Sequence, residues 1–532
     1  MSAVGVMQGS GGGTSSFADP NYVSLGKLAV FAVMAAGMFM AILDIQIVAA
    51  SLSEIQAGLA ASPEEVSWIQ TSYLIAEVIM IPISGYLSRA LSTRIIFVVS
   101  AGGFTLASFG CGLSWNMESL IVMRAIQGFL GGAMIPTVFA LSFSSFPRHY
   151  AGPLSATIGL IVTLAPTIGP TVGGYISEHL SWHWLFFVNL VPGTIITFVT
   201  WLYADFDEPD LSLLKRFDFS AFALMAVSLA LIEYILEEAP GEDWFESRTI
   251  LYLTIIAVIA GLAFFRRSLK SANPIVDLTA YGNTNFSAGS LIAFVMGIAL
   301  FGLVYLLPLF LARVRGFSAL QIGETLFVTG AAMFIAAPIA GMLSRKMDPR
   351  LIAGTGLAIL TVSTYAMSKV TSEWGFWQLF LPQIGRGFGI MWVMSAVNVI
   401  ALGTLPQDKL KGASGLYNLM RNLGGALGLA IINTILTDRT VFHFQRLADS
   451  LDPSRPIVAE RLAGITALMH EQGMADPENS ALALMQQLVQ REAATLAFAD
   501  TIRLIMFACA LTMLTLLLAR APKQPPPAAG GH

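Results

Sequence analysis

The chain has 532 residues, of which 55% are hydrophobic and only 12% are charged. Soluble proteins average about a quarter charged residues, so this composition excludes a soluble protein and indicates a polytopic membrane protein. The net charge of −4 says little, because the distribution of Lys and Arg is what matters in a membrane protein. The two cysteines, Cys111 and Cys509, lie in apolar segments and leave no disulfide framework.

The chain begins with a Gly/Ser-rich stretch, residues 1–25, that lacks a basic start and a cleavage site. We interpret it as a disordered cytoplasmic tail rather than a signal peptide. Stretches of about 20 apolar residues follow, each long enough to cross a bilayer. They predict about fourteen transmembrane helices, at 27–50, 66–88, 95–114, 118–143, 152–177, 184–204, 218–236, 248–266, 286–312, 320–343, 351–369, 375–403, 412–437 and 496–519.

Orientation is predicted from the short connections between these helices. One set of loops is rich in Lys and Arg, with Arg148, Lys215 and Arg345 among them, and the opposite set is poor in both until the long final loop. Basic residues stay on the cytoplasmic side. We therefore expect cytoplasmic termini, including the tail 521–532, and an extracytoplasmic loop at 438–495.

A sequence repeat divides the chain into two halves. Gly85–Arg89 after the second helix resembles Gly341–Arg345 after the tenth, and Arg124 in the fourth helix has a looser counterpart in Arg386 of the twelfth. Duplicated halves with a substrate cavity between them are typical of transporters. We expect six-helix bundles at 26–206 and 271–520, separated by two extra helices and linkers at 207–270.

Asp44 is the candidate functional residue of the first helix. A carboxylate within an apolar run is costly and is therefore a functional candidate by default. The alternative is a buried acid that only fixes helix packing by accepting hydrogen bonds.

The second helix has a narrow polar stripe at helical spacing, formed by Gln70, Tyr73, Glu77 and Ser84. Glu77 lies near the middle of the helix, where reversible protonation would suit proton coupling. The alternative is a permanently neutral acid bonded to a neighbouring helix. Gln70 and Tyr73 are candidate substrate-cavity residues.

The fourth helix contains Arg124 and Gln127 among glycines, which predict close approach of the fifth helix. The arginine needs an anion or backbone carbonyls as partners. Two interpretations of Arg124 stay open, a structural clamp and a charge that senses the proton state of Asp44 or Glu77. Gln127 is a further candidate cavity residue.

The fifth helix is apolar but is interrupted by prolines and glycines, with Gly169, Pro170, Gly173 and Gly174 at its centre. Proline removes a backbone donor and kinks a helix, and glycine lets another backbone come close. We expect a conformational hinge here, and we expect Gly173 and Gly174 to hold the fourth helix against the fifth.

Two features near the C-terminus have alternative interpretations. Arg421 in the thirteenth helix is expected to extend its side chain to the membrane surface. The loop 438–495 is polar and helical in pattern, and the helix that begins at Pro477 is expected to continue into the last span. The loop either docks a partner or is a solvated cap.

Several motifs together resemble the fourteen-helix drug:proton antiporters of the major facilitator superfamily, especially the EmrB-like branch. The resemblance covers nearly all of residues 26–520. It is based on Leu43-Asp44, Gly85–Ser88, Arg124–Gly128, the Gly-Pro-x-x-Gly-Gly run at 169–174, the run from Trp182 to Gly193, the segment Asn273–Leu278, and Arg386–Gly389.

The sequence departs from the family pattern at two of these motifs. Gln46, Ala49 and Ser53 stand where the first-helix motif has Thr, Asn and Pro. In the loop after the second helix, Arg89 replaces the usual acidic residue. The family resemblance implies a cytoplasmic gating loop at Gly85, Arg89 and Arg94, but the usual charge latch does not carry over.

The resemblance implies proton-coupled export of amphiphilic compounds by alternating access, with antibiotic resistance as its outcome. It also implies residence in the bacterial inner membrane, with an EmrA-like periplasmic adaptor and a TolC-like outer-membrane channel as partners. A major facilitator uptake carrier and a non-transporting receptor are the alternatives. No nucleotide loop or metal-ligand spacing points to an enzyme, and we expect neither a cofactor nor a nucleic-acid partner.

Overall fold

The computed structural model describes residues 24–147, 150–271, 274–344, 346–452 and 454–520. The tail 1–25 lies outside this part except for its last two residues, as do Arg148, Asn273, Arg345 and the tail 521–532. Within the described residues all regular secondary structure is helical.

Fourteen helices in the described part of the chain are long and apolar enough to cross a membrane, which confirms the prediction. We number them spans 1 to 14 in chain order. They are Leu25–Ala50, Glu65–Leu91, Thr93–Gly112, Met117–Ser144, Ala151–His179, Trp184–Tyr203, Phe219–Glu238, Arg248–Lys270, Thr284–Arg313, Gln321–Leu343, Pro349–Met367, Phe376–Leu402, Gln407–Asp449 and Pro477–Leu517.

Some spans are interrupted and some helices lie outside them. Span 4 consists of the helices Met117–Gly131 and Met134–Ser144, and span 6 of Trp184–Phe187 and Leu190–Tyr203. Two further helices, Leu52–Leu59 and Pro456–Glu471, follow spans 1 and 13. Short 3-10 helices lie at Leu214–Arg216, Trp244–Glu246, Leu278–Gly282 and Met513–Leu517.

Local sequence explains where several spans begin. Span 2 belongs to the helix Pro63–Leu91, and Ser62 caps it by accepting from the Glu65 amide while the Glu65 carboxylate accepts from the Ser62 amide. Ser318 and Gln321 form the same reciprocal pair at the start of the helix Ala319–Leu343, which contains span 10. Such caps satisfy backbone donors that the first helical turn leaves free.

The spans pack as two six-helix halves with an extra helix pair. Spans 1 to 6 form one half and spans 9 to 14 the other, and the halves meet where span 5 packs on spans 10 and 12 and where span 2 packs on span 13. Spans 7 and 8 pack on each other, and span 7 also lies against spans 2 and 13. The extra pair therefore covers one of the two seams between the halves.

An even number of spans puts Leu25, where span 1 begins, and Leu517, where span 14 ends, at the same end of the bundle, which we call the terminal end. The opposite end, called the loop end, carries residues 438–495. There the helix of span 13 extends to Asp449, and the helix Pro477–Thr512 runs without a break into the membrane region, as predicted. Asp476 caps that helix, and its hydrogen bonds with Asn479 hold the pKa of the Asp476 carboxyl below its usual range.

Candidate functional site

Asp44 lies at the centre of a buried polar network inside the N-terminal half. Its carboxylate accepts from Arg124 Nη1 at 2.7 Å, from Asn189 Nδ2 at 2.6 Å and from Gln127 Nε2 at 3.2 Å. The Asp44 and Arg124 side chains are both fully buried. The Asp44 carboxyl group is therefore paired with Arg124, and three side-chain donors surround its oxygens.

Arg124 joins spans 1, 2 and 4 through this network. Beyond Asp44, it donates from Nε to the Ile69 carbonyl at 3.2 Å and from Nη1 to Gln127 Oε1 at 2.8 Å. Its guanidinium carbon lies 4.2 Å from the centroid of the Tyr73 ring. Nη2 has no hydrogen-bond partner in the described part of the chain, so the arginine keeps an unused donor.

Asn189 is a member of the network that sequence reasoning did not select. It follows the first turn of span 6, and its Nδ2 group donates to Asp44 and, at 3.0 Å, to Ser108 Oγ. Gln127 Nε2 also donates to Ser108, at 3.1 Å. Asn189 belongs to the Trp182–Gly193 motif, and membership of that motif was the one feature of the sequence that pointed to this residue. A motif in one span does not reveal which distant carboxylate it contacts.

Glu77 lies apart from this network at the seam between the halves. It is 3% exposed, and its carboxyl group has no hydrogen bond or ion pair with any described residue. Arg421 of span 13 and Arg124 of span 4 are within electrostatic range. Glu77 is therefore a buried acid that faces a cation on the opposite half without being bonded to it.

Arg421 does not extend to the membrane surface, and that prediction is wrong. The residue is 2% exposed, and its guanidinium carbon lies 5.5 Å from the centroid of the Phe139 ring of span 4. Nε and Nη1 lack hydrogen-bond partners among the described residues. The seam between spans 4 and 13 encloses the side chain before it can reach the surface.

The other predicted polar residues of span 2 lie along the same stripe. Tyr73 is fully buried and its hydroxyl has no partner in the described chain, and Gln70 Oε1 is buried and unpartnered as well. Buried polar atoms without partners are uncommon and often mark a place for water or a ligand. Gln127, by contrast, has its amide group engaged in the Asp44 network.

The glycines of span 4 admit span 2 rather than span 5, so the predicted partner is wrong. A Cβ placed on Gly132 would lie 2.9 Å from the Glu77 carbonyl oxygen, and one on Gly128 would collide with the Tyr73 backbone. Span 2 packs closely on span 4. Glycine in a sequence indicates that something comes close, but it does not identify the neighbour.

The predicted partner of the span 5 glycines is also wrong, because Gly169 and Gly173 face span 1 rather than span 4. A Cβ placed on Gly173 would lie 2.6 Å from the Ile47 carbonyl oxygen, while Gly169 faces the Gln46 side chain. Gly174 has open space around it. The helix Ala151–His179 runs continuously through Pro166 and Pro170.

We expect Gly173→Val to reduce transport strongly while Gly174→Val leaves it near normal. The new side chain at position 173 would press on the Ile47 backbone, and overpacking of this kind costs about 1–3 kcal/mol. Ile47 is one turn from Asp44, so span 1 and its polar network would shift together. Transport assays on both variants at matched membrane expression are the measurement. Equal behaviour of the two variants would contradict the assigned contact.

The terminal end holds the two halves together around the predicted gating loop. Gly85 packs against the backbone of Lys411 and Gly412 at the start of span 13, with Gly412 Cα 2.7 Å from a Cβ placed on Gly85. Arg89 is half-buried, its guanidinium carbon lying 5.7 Å from the centroid of the Tyr86 ring. Arg94 is exposed.

Asp207 supplies a charged contact that the sequence did not lead us to expect. Its carboxylate accepts from the Thr93 amide at 2.9 Å and forms an ion pair with Lys411. Lys411 Nζ also donates to the Ser88 carbonyl at 3.2 Å. The acid that the loop itself lacks is thus provided by the linker after span 6, and it ties the N-terminal half to span 13.

The C-terminal half repeats the buried arginine without its carboxylate. Arg386 is 1% exposed, like Arg124, but it forms no ion pair with a described residue, and its Nε and Nη1 lack partners there. Gln383, one turn away, is fixed by Thr329 and Thr325 of span 10. Among the described residues the buried acids, Asp44, Glu77 and Glu233, belong to spans 1, 2 and 7, and none lies in the C-terminal half.

Two six-helix halves with buried charges beside their seam define a secondary transporter of the major facilitator fold. The Major Facilitator Superfamily profile matches residues 34–429. The chain belongs to this superfamily.

Relatives and solved structures agree with this assignment. The chain is 41% identical to the colistin resistance protein EmrB of Acinetobacter baumannii, over 93% of this chain and 97% of that one. It is 30% identical to the multidrug export protein EmrB of Escherichia coli, over 79% of this chain and 82% of that protein. The human organic anion transporter TETRAN aligns with a TM-score of 0.58 at 14% identity, over 91% of this chain and 99% of that one. The proton:xylose symporter XylE aligns with a TM-score of 0.55 at 13% identity, over 91% of this chain and 95% of that one.

Proposed function

We propose that this protein exports amphiphilic or hydrophobic compounds from the cell in exchange for protons, by alternating access between the two halves. The names of its relatives support export: multidrug export proteins, and resistance proteins for colistin and for fatty acids. An uptake carrier for one solute and a non-transporting receptor have no comparable support among these relatives. Transport rather than catalysis also fits the family and the fold.

The observation that supports the proposal is that Glu77 is buried, has no hydrogen bond or ion pair with a described residue, and lies within electrostatic range of Arg421 on the other half. When Glu77 is ionised, its attraction to Arg421 favours contact between spans 2 and 13. When Glu77 binds a proton, that attraction is lost and separation of the halves becomes easier. Proton binding is thereby coupled to the opening of the terminal end, where Gly85 and Lys411 lie in contact.

We propose different roles for the other polar residues. Asp44 and Arg124 form a second charge pair that changes when the N-terminal half rearranges, and Gln127 links this pair to the cavity. Gln70 and Tyr73, with their unpartnered oxygens, face substrate or water. Gly169 and Gly173 of span 5, which face span 1, let span 1 slide on span 5 during the transition.

Transport by the purified wild-type protein tests this function. Proteoliposomes should take up ethidium when their lumen is more acidic than the external solution, because protons then leave the lumen in exchange for ethidium. Collapse of this gradient with an uncoupler should stop the uptake. Drug susceptibility of a pump-deficient host, with and without the gene, is the cellular counterpart. Absence of gradient-driven uptake for dyes, detergents and fatty acids alike would overturn the proposal.

We propose residence in the bacterial inner membrane with both termini in the cytoplasm, so that the terminal end is cytoplasmic. The support is the distribution of Lys and Arg in the loops. The proposed domain boundaries remain 26–206, 207–270 and 271–520, with the loop 438–495 on the extracytoplasmic side of the membrane. The packing of spans 7 and 8 outside both halves supports these boundaries.

We expect an impermeant thiol reagent to label Gln445→Cys in intact cells and Glu208→Cys only after the cells are opened. Both positions are exposed, at the loop end and the terminal end respectively. The native cysteines, Cys111 and Cys509, are fully buried and give a low background. Labelling of Glu208→Cys rather than Gln445→Cys in intact cells would invert the orientation.

We propose that the loop end docks an EmrA-like adaptor, which connects the transporter to a TolC-like outer-membrane channel. The helix Pro456–Glu471 and its neighbours enclose an apolar cleft of about 370 Å³, lined by residues that include Leu451, Ile457 and Met485. Ile457 and Leu468 are also largely exposed. Exposed apolar patches on a polar segment commonly mark a protein interface.

We expect deletion of residues 455–475 to abolish resistance in intact cells while uptake by adaptor-free proteoliposomes persists. The deletion removes the helix that carries the exposed apolar residues, and the spans themselves remain. Co-purification of the adaptor with the wild-type protein and with the deletion variant measures the contact directly. Unchanged resistance would show that the loop is a solvated cap, and loss of uptake in proteoliposomes would show that the transporter needs the loop to fold.

A further inference from the structure

A second buried acid lies on the extra helix pair, beside the proposed proton site. Glu233 of span 7 is 7% exposed, and its carboxyl group has no hydrogen bond or ion pair with a described residue. An ionisable group in a membrane span is costly and is usually retained for a function. Because Glu233 faces protein rather than lipid, packing alone would be served as well by an apolar residue.

Glu233 and Glu77 lie on two spans that pack against each other. Spans 2 and 7 are antiparallel and in contact, with the rings of Trp68 and Tyr234 5.7 Å apart between centroids. Glu77 lies deeper in the membrane than this ring contact. Side chains tilt towards the N-terminus of their own helix, so Glu77 leans towards the loop end and Glu233 leans away from it. The two carboxyl groups approach each other and lie within electrostatic range.

Glu237 extends this arrangement to the surface at the loop end. It lies one helical turn beyond Glu233, about 6 Å further along the axis, on the same face of span 7. Glu237 is exposed and within electrostatic range of both Glu233 and Tyr305 of span 9. The three acids therefore form a row from the loop-end surface to the middle of the membrane.

The charged groups around this row make it suitable for mobile protons. Among the described residues, the charged groups within range of Glu233 are Glu77 and Glu237, both acidic, and Glu238 lies within range of Glu237. The cations, Arg421 and Arg124, are within range of Glu77 at the inner end. Arg421 is nearly fully buried, and two of its nitrogens have no hydrogen-bond partner among the residues that the structure describes. An ionised carboxylate is thus stabilised best at Glu77, the member of the row nearest the middle of the membrane and the seam between the halves.

We propose that Glu237 and Glu233 conduct protons from the loop-end solution to Glu77, so that the extra helix pair provides a proton route separate from the substrate cavity. This proposal rests on the proton-coupled export proposed above. A proton from water binds the Glu233 carboxylate by way of Glu237. It then leaves Glu233 for the Glu77 carboxylate, through water where the groups do not touch. Each glutamate regains its initial charge when Glu77 releases the proton at the terminal end.

Proteoliposomes that carry Glu233→Gln, Glu233→Asp or Glu238→Gln test this route, with ethidium as the probe. We expect Glu233→Gln to slow gradient-driven uptake about 100-fold or more, the range found for a lost proton-transfer group. Counterflow of ethidium without a gradient should stay at the wild-type rate, because substrate binding and alternation remain intact. Glu233→Asp should restore driven uptake, and Glu238→Gln, a half-buried carboxyl outside the row, should match the wild type.

Wild-type rates of driven uptake in Glu233→Gln would overturn this proposal and leave the proposed function standing. Equal loss of counterflow and driven uptake would also overturn it, since that pattern indicates a structural role. If wild-type vesicles show no driven uptake, the proposed function itself fails, and this route fails with it. Should Glu233→Gln not reach the membrane, Glu237→Gln applies the same test at an exposed position.

Discussion

Replacing Arg124 with methionine is expected to remove most of the folded protein from the membrane. The substitution leaves the Asp44 carboxylate buried with amide donors but without its cation, and breaking a buried ion pair in this way costs about 3–5 kcal/mol. Native proteins are stable by only about 5–15 kcal/mol, so a loss of this size is severe. Monodisperse yield after detergent extraction and the melting temperature are the measurements.

The double variant Arg124→Met, Asp44→Asn separates the two interpretations of the pair. It removes both charges and keeps the amide-type contacts to Asn189 and Gln127, so we expect folding to recover. If the pair is only a clamp, proton-driven uptake recovers as well. If it senses the proton state, uptake stays low in a well-folded protein. Poor folding of the double variant together with normal folding of Arg124→Met would contradict the assigned contacts.

Helix positions were predictable from the sequence because hydropathy and caps are local properties. A span needs about 20 apolar residues whatever surrounds it, and all fourteen predicted spans are present. The start of the last long helix was signalled by Asp476 and Pro477, and that helix runs into the membrane region as expected. Local chemistry decides these features, so one sequence is enough to find them.

Contacts between helices were less predictable, because they depend on which faces the bundle brings together. Asn189 reaches Asp44, 145 positions away in the chain, through the packing of spans 1 and 6. Asp207 pairs with Lys411 across the halves. Both residues looked ordinary in their own segments. The glycines of spans 4 and 5 correctly indicated that another helix comes close, but the neighbouring spans predicted from them were wrong.

Burial was equally hard to predict for Arg421 and Glu233. Arg421 lies in the part of span 13 nearer the terminal end, where a free side chain would reach water, and only the seam between the halves encloses it. Glu233 lies near the end of a short span among other acids, a pattern that a solvated helix end would also show. Span 7 packs against span 2, and this contact makes Glu233 a buried group.

Replacing Glu77 with glutamine is expected to abolish proton-driven accumulation and to preserve substrate binding. Glutamine keeps the size of the side chain and its capacity for hydrogen bonding, but it cannot titrate. Glu77 has no hydrogen bond to lose within the described chain, so we expect normal folding. One inward proton charge contributes about 2.3 kcal/mol per 100 mV, which corresponds to about a 50-fold accumulation ratio for an uncharged substrate. Exchange of one proton for the monovalent cation ethidium is electroneutral, so the pH difference drives ethidium uptake.

Gradient-driven uptake and equilibrium binding of ethidium in the same preparations measure this effect. Glu118→Gln, an exposed carboxyl in the first turn of span 4, is the matched control and should accumulate substrate normally. Asp44→Asn should lose accumulation only if that acid also takes part in coupling. Because the Glu77 charge faces Arg421 across the seam, Glu77→Gln should also weaken the preference for the closed terminal end. Full uptake by the Glu77→Gln, Asp44→Asn double variant would remove both acids from the coupling mechanism and place the proton site elsewhere.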